Sequence, residues 1–140
     1  MGFFDNKIVT IFNRFFNPET EEEKYYPTVL DSVDIVETKG ANITNSGMNS
    51  TDAVKLYIDF GNLTKPYIAP KEWDALPEDR KTDYITFHPD EDFFVRGAHT
   101  NELPNERLYE WLRDNVDSVY KISTIDKYED VLPHFEVGGV

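Results

Sequence analysis

The chain has no cysteine among its 140 residues. That absence excludes disulfide bonds, thiolate zinc sites, iron–sulfur clusters and thiol nucleophiles. Long hydrophobic runs are missing as well, because no window approaches the eighteen apolar residues that would cross a bilayer. The first residues mix aromatic with polar types and lack the continuous apolar stretch of a secretory signal. We therefore expect no membrane partner.

Basic residues are scarce. Lysine and arginine number 14 against 27 aspartates and glutamates, which gives a net charge of −13. A protein whose main task is to grip nucleic acid needs Lys and Arg to displace counterions from phosphates, so that class is disfavoured. The charge fits a protein that avoids DNA or that meets basic partner surfaces. Hydrophobic residues make up 39%, enough for one core, and we expect a single domain over residues 1–140.

The pattern of apolar residues predicts a mainly β chain. The clearest alternation is at 53–60, where Val54, Leu56, Ile58 and Phe60 share one face of a strand. Further β-branched and aromatic segments bounded by turn residues also predict strands. The expected strands are 7–16, 25–37, 53–60, 83–88, 92–96, 119–125 and 133–137.

Helices are few. One clear helix is expected at about 104–116, and a short one at about 71–75, opened by Pro70 and anchored by Trp73. Seven or so short strands with one or two helices indicate a small antiparallel β-barrel or sandwich. The apolar face of the longer helix consists of Leu108, Trp111, Leu112 and Val116.

A long polar loop is predicted at 38–52, between two well-defined strands. A hairpin turns in two to five residues, so the extra length is not needed for connection. It is either an insertion tolerated at the surface or an arm that reaches a partner or a channel. Ile43 and Met48 are its only sizeable apolar residues.

Adjacent aromatic residues occur four times. Neighbours in a strand point to opposite faces, so both rings of a doublet cannot enter one core. The second ring must lie under a helix, on the surface or against another subunit, which favours a protein that assembles. The interface candidates from these doublets are Phe3, Phe4, Phe16, Tyr25, Tyr26, Phe93 and Phe94.

Catalytic patterns are not found. The three histidines, His88, His99 and His134, match no zinc motif by spacing. His88 with the acidic residues at 90–92 could form a metal cluster in principle, but a solvated turn between two strands is the simpler interpretation. Neither a nucleophile elbow nor a phosphate-binding glycine loop is present. We expect neither an enzyme nor a cofactor.

Short segments spread along nearly the whole chain occur in the order found in a known family. They are Val9–Arg14, Tyr25–Leu30, Tyr67–Trp73, Ile85–Phe87, Phe93–Gly97, Val119–Ile125 and Leu132–Gly139. This ordered set resembles the minor capsid protein family of tailed phages of Gram-positive bacteria. Each segment alone is only moderately specific, and their common order carries the resemblance.

The resemblance implies a head-closure, or stopper-like, component of the head-to-tail connector. Such a subunit is made in the host cytoplasm and forms a homo-oligomeric ring in the virion neck. The ring lies between the portal or adaptor ring and the tail or tail-completion protein. It continues the channel through which double-stranded DNA passes without sequence-specific binding.

The resemblance further implies that the loop between the second and third strands projects toward the channel and helps to retain packaged DNA. Lys39 and Asp52 are the only charged residues of this loop, so DNA could slide past it without adhering. The corresponding residues here are Lys39, Gly40, Asn42, Ile43, Asn45, Gly47, Met48 and Asn49.

Two acidic turns are candidate contacts with basic patches on neighbours, or else solvated edges that keep the protein soluble. One is the hairpin tip at 19–23, with Glu21, Glu22 and Glu23, and the other lies at 90–92. Two other functions stay open: another neck or tail-completion component, and a small β-barrel enzyme or ligand-binding module.

Overall fold

A computed structural model describes residues 7–37, 53–100, 103 and 107–140. Within them, six antiparallel strands close into a barrel in the order β1-β2-β3-β6-β5-β4. The expected mainly β, antiparallel fold is confirmed. The strands are β1 (Lys7–Asn17), β2 (Glu22–Glu37), β3 (Val54–Asp59), β4 (Phe93–Arg96), β5 (Val119–Tyr128) and β6 (His134–Gly139).

Strand β3 confirms the alternation read from the sequence. Val54, Leu56 and Ile58 are buried, and the residues between them are half-buried. Their side chains enter the barrel interior because β3 pairs with β2 on one side and with β6 on the other. Phe60 falls in a short 3₁₀ helix after the strand, and its ring still packs against the same core.

The short strand β4 closes the barrel. Its four residues pair with β1, from Val9 opposite Arg96 to Phe12 opposite Phe93. On its other side β4 pairs with the start of β5, where Phe94 faces Tyr120. Without these contacts β1 and β5 would both be open edges, which are prone to non-native pairing.

The doublet Phe93-Phe94 corrects one prediction. Both side chains have no exposed surface, so neither is available to another subunit. They point to opposite faces of β4, as neighbours in a strand must. Phe94 enters the barrel interior, and Phe93 enters a second core between the barrel wall and a helix.

The described residues contain two apolar cores. The larger fills the barrel and includes Val9, Ile11, Leu30, Leu56 and Val137. The smaller core lies outside the barrel wall, under the longer helix. There the rings of Phe12 and Phe93 stack with their centroids 4.7 Å apart. Strand β1 serves both cores, which explains why five consecutive residues in it are buried.

The same residues contain three helices, α1 (Pro70–Asp74), α2 (Glu78–Lys81) and α3 (Leu108–Asn115). The longer helix predicted at about 104–116 is α3, which begins at Leu108 because Arg107 before it has a left-handed φ of 52°. Trp111 is 40% exposed, although the pattern placed it on the buried face. No helix in this part of the chain is long and apolar enough to span a bilayer.

Helix α1 confirms the short predicted helix and the role of Trp73, which is fully buried. Helix α2 was not expected. It carries the buried Lys81, whose Nζ donates to the carbonyl oxygens of Trp73, Asp74 and Leu76 at 3.1, 3.0 and 2.5 Å. Carbonyl groups at the end of a helix have few backbone donors, and of these three only that of Trp73 also accepts from a backbone amide of the described residues, that of Leu76 at 3.1 Å. Burial lowers the pKa of Lys81, and its three donors are nevertheless all used.

Residues 83–88, all of them described, do not form the expected strand. Ile85 makes an isolated parallel bridge to Tyr67. The segment is held by two backbone hydrogen bonds of Ile85, to Pro66 at 2.9 Å and from Ile68 at 3.1 Å. Asn13 Nδ2 of β1 also donates to the carbonyl oxygen of Thr86 at 2.6 Å. Apolar residues alternate here because Ile85 and Phe87 enter the core, and no strand ladder is involved.

Gly139 lies where three structural elements meet. A Cβ there would come within 2.8 Å of Val54, 2.9 Å of Tyr120 and 3.1 Å of Phe94. We predict that Gly139→Ala lowers the free energy of unfolding by about 1–3 kcal/mol through overpacking. The matched control is Gly61→Ala, whose Cβ would meet nothing within 4 Å. Urea unfolding should show a change below about 0.5 kcal/mol for the control, and an equal change in both variants would contradict the prediction.

Candidate interaction surfaces

The antiparallel strand order gives the barrel two different ends. At one end β2 stops at Glu37 and β3 starts at Val54, and these two residues are register partners. The segment 38–52 is therefore rooted at this end, which we name the loop end. At the opposite end lie the turns that join β1 to β2 and β5 to β6, and we name it the hairpin end.

Glu37 fixes one root of the segment 38–52. Its carboxylate accepts hydrogen bonds from Arg96 Nη1, Tyr120 Oη and, at 3.3 Å, Ser118 Oγ. Arg96 and Tyr120 belong to β4 and β5, which are not neighbours of β2 in the barrel. The hydrogen bond from Tyr120, with further donors and the charge of Arg96, outweighs partial burial and lowers the pKa of Glu37. This carboxylate therefore ties β2 across the mouth of the barrel.

The other root is fixed by backbone contacts. The amide of Ala53 donates to the carbonyl oxygen of Gly139 at 2.8 Å, directly before β3 begins. The structure thus gives the segment a firm base at both ends. The predicted channel residues themselves lie outside the described residues, as do Phe3 and Phe4; they are Lys39, Gly40, Asn42, Ile43, Asn45, Gly47, Met48 and Asn49.

The hairpin end carries the predicted acidic tip. Asn17 Oδ1 accepts from the amide of Glu19 at 2.9 Å, and Glu21 has a left-handed φ of 58°. Glu21 and Glu22 are exposed and free to meet a basic surface. Glu23 differs, because its carboxylate accepts from Arg14 Nε at 2.5 Å and its charge is paired within the chain.

The remaining aromatic candidates divide by exposure. Phe16 is 44% exposed at the hairpin end and is the best placed of them to contact a neighbour. Tyr25 and Tyr26 are half-buried: Tyr25 packs edge-on against Phe93 at 5.1 Å, and Tyr26 packs against Trp73 at 5.6 Å. These two rings mainly cover the chain's own core.

The acidic turn at 90–92 is not solvated throughout. Asp92 is fully buried and accepts from Asn13 Nδ2 at 2.8 Å, from the amide of Arg14 at 2.7 Å and from the amide of His88 at 2.8 Å. Burial raises the pKa of Asp92, while His88 and the backbone donors act against that rise. The prediction of a surface turn is therefore wrong for Asp92, whereas Asp90 and Glu91 are exposed.

His88 lies between two carboxylates. Its Nδ1 is 2.8 Å from Asp92 Oδ2, and its Nε2 is 2.9 Å from Asp74 Oδ1. Both ring nitrogens can donate only when the imidazole is protonated. Burial opposes that charge, but the hydrogen bond to Asp92 and the charges of Asp92 and Asp74 outweigh it and raise the pKa of His88 to about 9.

The other two histidines also have partners within the chain. His99 Nε2 lies 2.9 Å from the carbonyl oxygen of Arg96, and His134 Nε2 lies 2.9 Å from Glu136 Oε2. Within the ranges that the structure describes, no group of three His, Asp or Glu side chains is arranged to hold a metal ion. These contacts explain the three imidazoles as parts of the fold.

The contacts of Glu37 at the barrel mouth were not predicted from the sequence. The signal that could have indicated them is the position of Glu37, as an acidic residue that ends a strand immediately before the long loop. Its partners follow 59, 81 and 83 residues later in the chain, and no local pattern connects them.

Fold and surfaces together define a small antiparallel β-barrel with a long insertion rooted at one end and two hairpin turns at the other. The chain belongs to a family of unknown function (DUF6751), whose model matches residues 4–140. It matches no curated protein and no solved structure.

His88 makes stability dependent on pH. Its pKa of about 9 in the folded protein lies above the ordinary 6.5. The stabilisation is therefore fully present below pH 6.5 and is lost as the pH rises through 9. We predict that urea midpoints fall between these pH values in the natural chain. His88→Gln should be less stable at pH 6, and its urea midpoint should change less with pH. A midpoint that falls as steeply with pH in this variant as in the natural chain would contradict the role given to His88.

Proposed function

We propose that this chain is a structural subunit of a tailed phage's neck, a head-closure or stopper-like component. In this proposal it forms a homo-oligomeric ring in the virion, continues the DNA channel between the portal or adaptor ring and the tail, and helps to retain packaged DNA. The observation that carries the proposal is that the residues on both sides of the segment 38–52 are held by hydrogen bonds at the same end of a closed barrel.

A segment that holds back DNA must transmit force to the body of its subunit. At the loop end, Glu37 joins β2 to β4 and β5, and Ala53 is hydrogen-bonded to β6. A push on either root is therefore shared by several strands of the barrel. A surface insertion without mechanical work has no comparable need for a charged clamp across the barrel mouth.

The charge of the chain supports passage of DNA without adhesion. The net charge is −13, and Lys39 is the only basic residue in the segment 38–52. Few phosphates could be neutralised by such a surface, so DNA would release few counterions and gain little binding free energy.

A ring needs two different, complementary patches on each subunit, because its contacts are head-to-tail. The exposed residues Phe16, Glu21 and Glu22 at the hairpin end supply an aromatic and acidic patch. The enzyme or ligand-binding alternative gains no comparable support, since the three histidines are engaged by partners within the chain.

The location of the chain tests the proposal. We expect cryo-electron microscopy of particles made with this gene to show a ring of six-stranded barrels between the portal and the tail. A different neck position would favour the tail-completion alternative. Intact particles that lack the chain altogether would contradict the proposal.

Shortening the segment tests its role separately. We predict that deleting residues 40–49 leaves rings that form and particles that lose packaged DNA, because the barrel and both roots remain. DNA per particle can be measured by nuclease protection and quantitative PCR. As a control, residues 40–49 are replaced by a Gly/Ser sequence of the same length. This variant separates the effect of the segment's length from the effect of its side chains. Normal retention by the deletion variant would refute a stopper role.

A further inference from the structure

The connection between β5 and β6, residues 129–133, holds two apolar side chains in solvent at the hairpin end. Val131 is 91% exposed and Leu132 is 64% exposed, more than the other large apolar residues of the described part of the chain. We name this pair the apolar knob. Exposure of single apolar residues is ordinary, so further observations must decide whether the knob has a role.

The backbone at Leu132 provides the first such observation. Its φ of 59° lies in the left-handed region, which Gly, Asn and Asp adopt more readily than a leucine does. A turn selected only for folding would favour one of those residues here. The leucine also contributes little to the core, because most of its side chain is in solvent. Leu132 therefore raises the conformational free energy of the turn and adds little to the core. This combination points to a contact between its side chain and another molecule.

The knob is also held in place. His134 Nδ1 donates to the carbonyl oxygen of Leu132 at 2.7 Å, and the ring of His134 stacks on Tyr128 at 4.8 Å. The carbonyl oxygen of Pro133 accepts from the amide of Phe60 at 3.2 Å. A preorganised apolar projection loses little conformational freedom when it binds, which is what a docking contact requires.

Charge around the knob indicates the kind of partner. Glu129 and Asp130, directly before the knob in the chain, are exposed, and Lys127 Nζ is 3.9 Å from Glu129 Oε1. The same hairpin end of a second copy would add like charge at this contact, because Glu21 and Glu22 are exposed there too. A basic surface on a different protein would be attracted instead.

We propose that the apolar knob docks into an apolar hollow with a Lys- and Arg-rich rim on a neighbouring protein of different sequence. The inference rests on the proposed function, in which the ring has one neighbour on the head side and one on the tail side. It adds the contact that joins the ring to one of them.

Crosslinking within particles tests the contact directly. The photoreactive residue p-benzoylphenylalanine is placed at position 131, and at the exposed Asp79 as a control. We expect position 131 to crosslink to a peptide of a different particle protein that contains apolar residues flanked by Lys or Arg, and position 79 not to reach that peptide. A crosslink from position 131 to a second copy, to an acidic peptide or to nothing would overturn the proposal.

Variants separate docking from folding. Val131→Ser combined with Leu132→Gly removes the knob and the unfavourable φ, so its melting temperature should be equal to or above that of the natural chain. Incorporation into particles, measured by immunoblot, should fall at least tenfold. The matched control is Val36→Thr, a change at the loop end of a valine that is 49% exposed. Glu129→Lys with Asp130→Lys should also lower incorporation, because it repels a basic rim.

The outcomes distinguish the two proposals. Full incorporation of the knob variant, or an equal loss with Val36→Thr, would overturn the docking proposal while the neck assignment stands. Absence of the natural chain from particles would overturn the neck assignment, and the docking proposal with it. If the knob variant does not fold, the crosslinking result decides.

Discussion

The four residues of β4 determine whether this barrel is closed. So short a strand cannot rely on its ladder alone, and it is held at both of its ends by carboxylates. Before its first residue, the buried Asp92 accepts hydrogen bonds from β1 at Asn13 and Arg14. At its last residue, Arg96 donates to Glu37 of β2 across the barrel mouth. Between these points Phe93 and Phe94 fill one core each, so packing and polar contacts enforce the same register.

Closure of the barrel places different features at its two ends. The contact that holds the end of β4 also holds Glu37, the residue directly before the segment 38–52. The hairpin end, by contrast, exposes Phe16, Glu21 and the apolar knob without disturbing the core. A ring subunit that must resist DNA on one side and contact neighbours on another would need this separation.

Local patterns were enough to predict much of the fold, because strands such as β3 alternate strictly between buried and half-buried positions. They failed where tertiary contacts override periodicity. Residues 83–88 alternate like a strand but are held by an isolated bridge to Tyr67 and by Asn13, which lies 73 residues before Thr86 in the sequence. Arg107 stops a helix that the pattern extends, because its φ is left-handed. The clamp at Glu37 and the burial of Asp92 depend on distant partners and could not be predicted. The rule that neighbours in a strand point to opposite faces correctly put Phe93 and Phe94 on different faces of β4. It could not show that both side chains were buried.

Native-state hydrogen exchange is the most direct measurement of barrel closure by β4. If β4 is integral to the barrel, its backbone amides should exchange only through the global unfolding that also exposes the centre of the β1–β2 hairpin, with the same dependence on denaturant. The opposite result would be fast exchange of β4 through a local opening, while β1, β2, β3 and β6 stay protected. That result would mean that the barrel is an open sheet in solution, and that neither carboxylate anchor holds it closed.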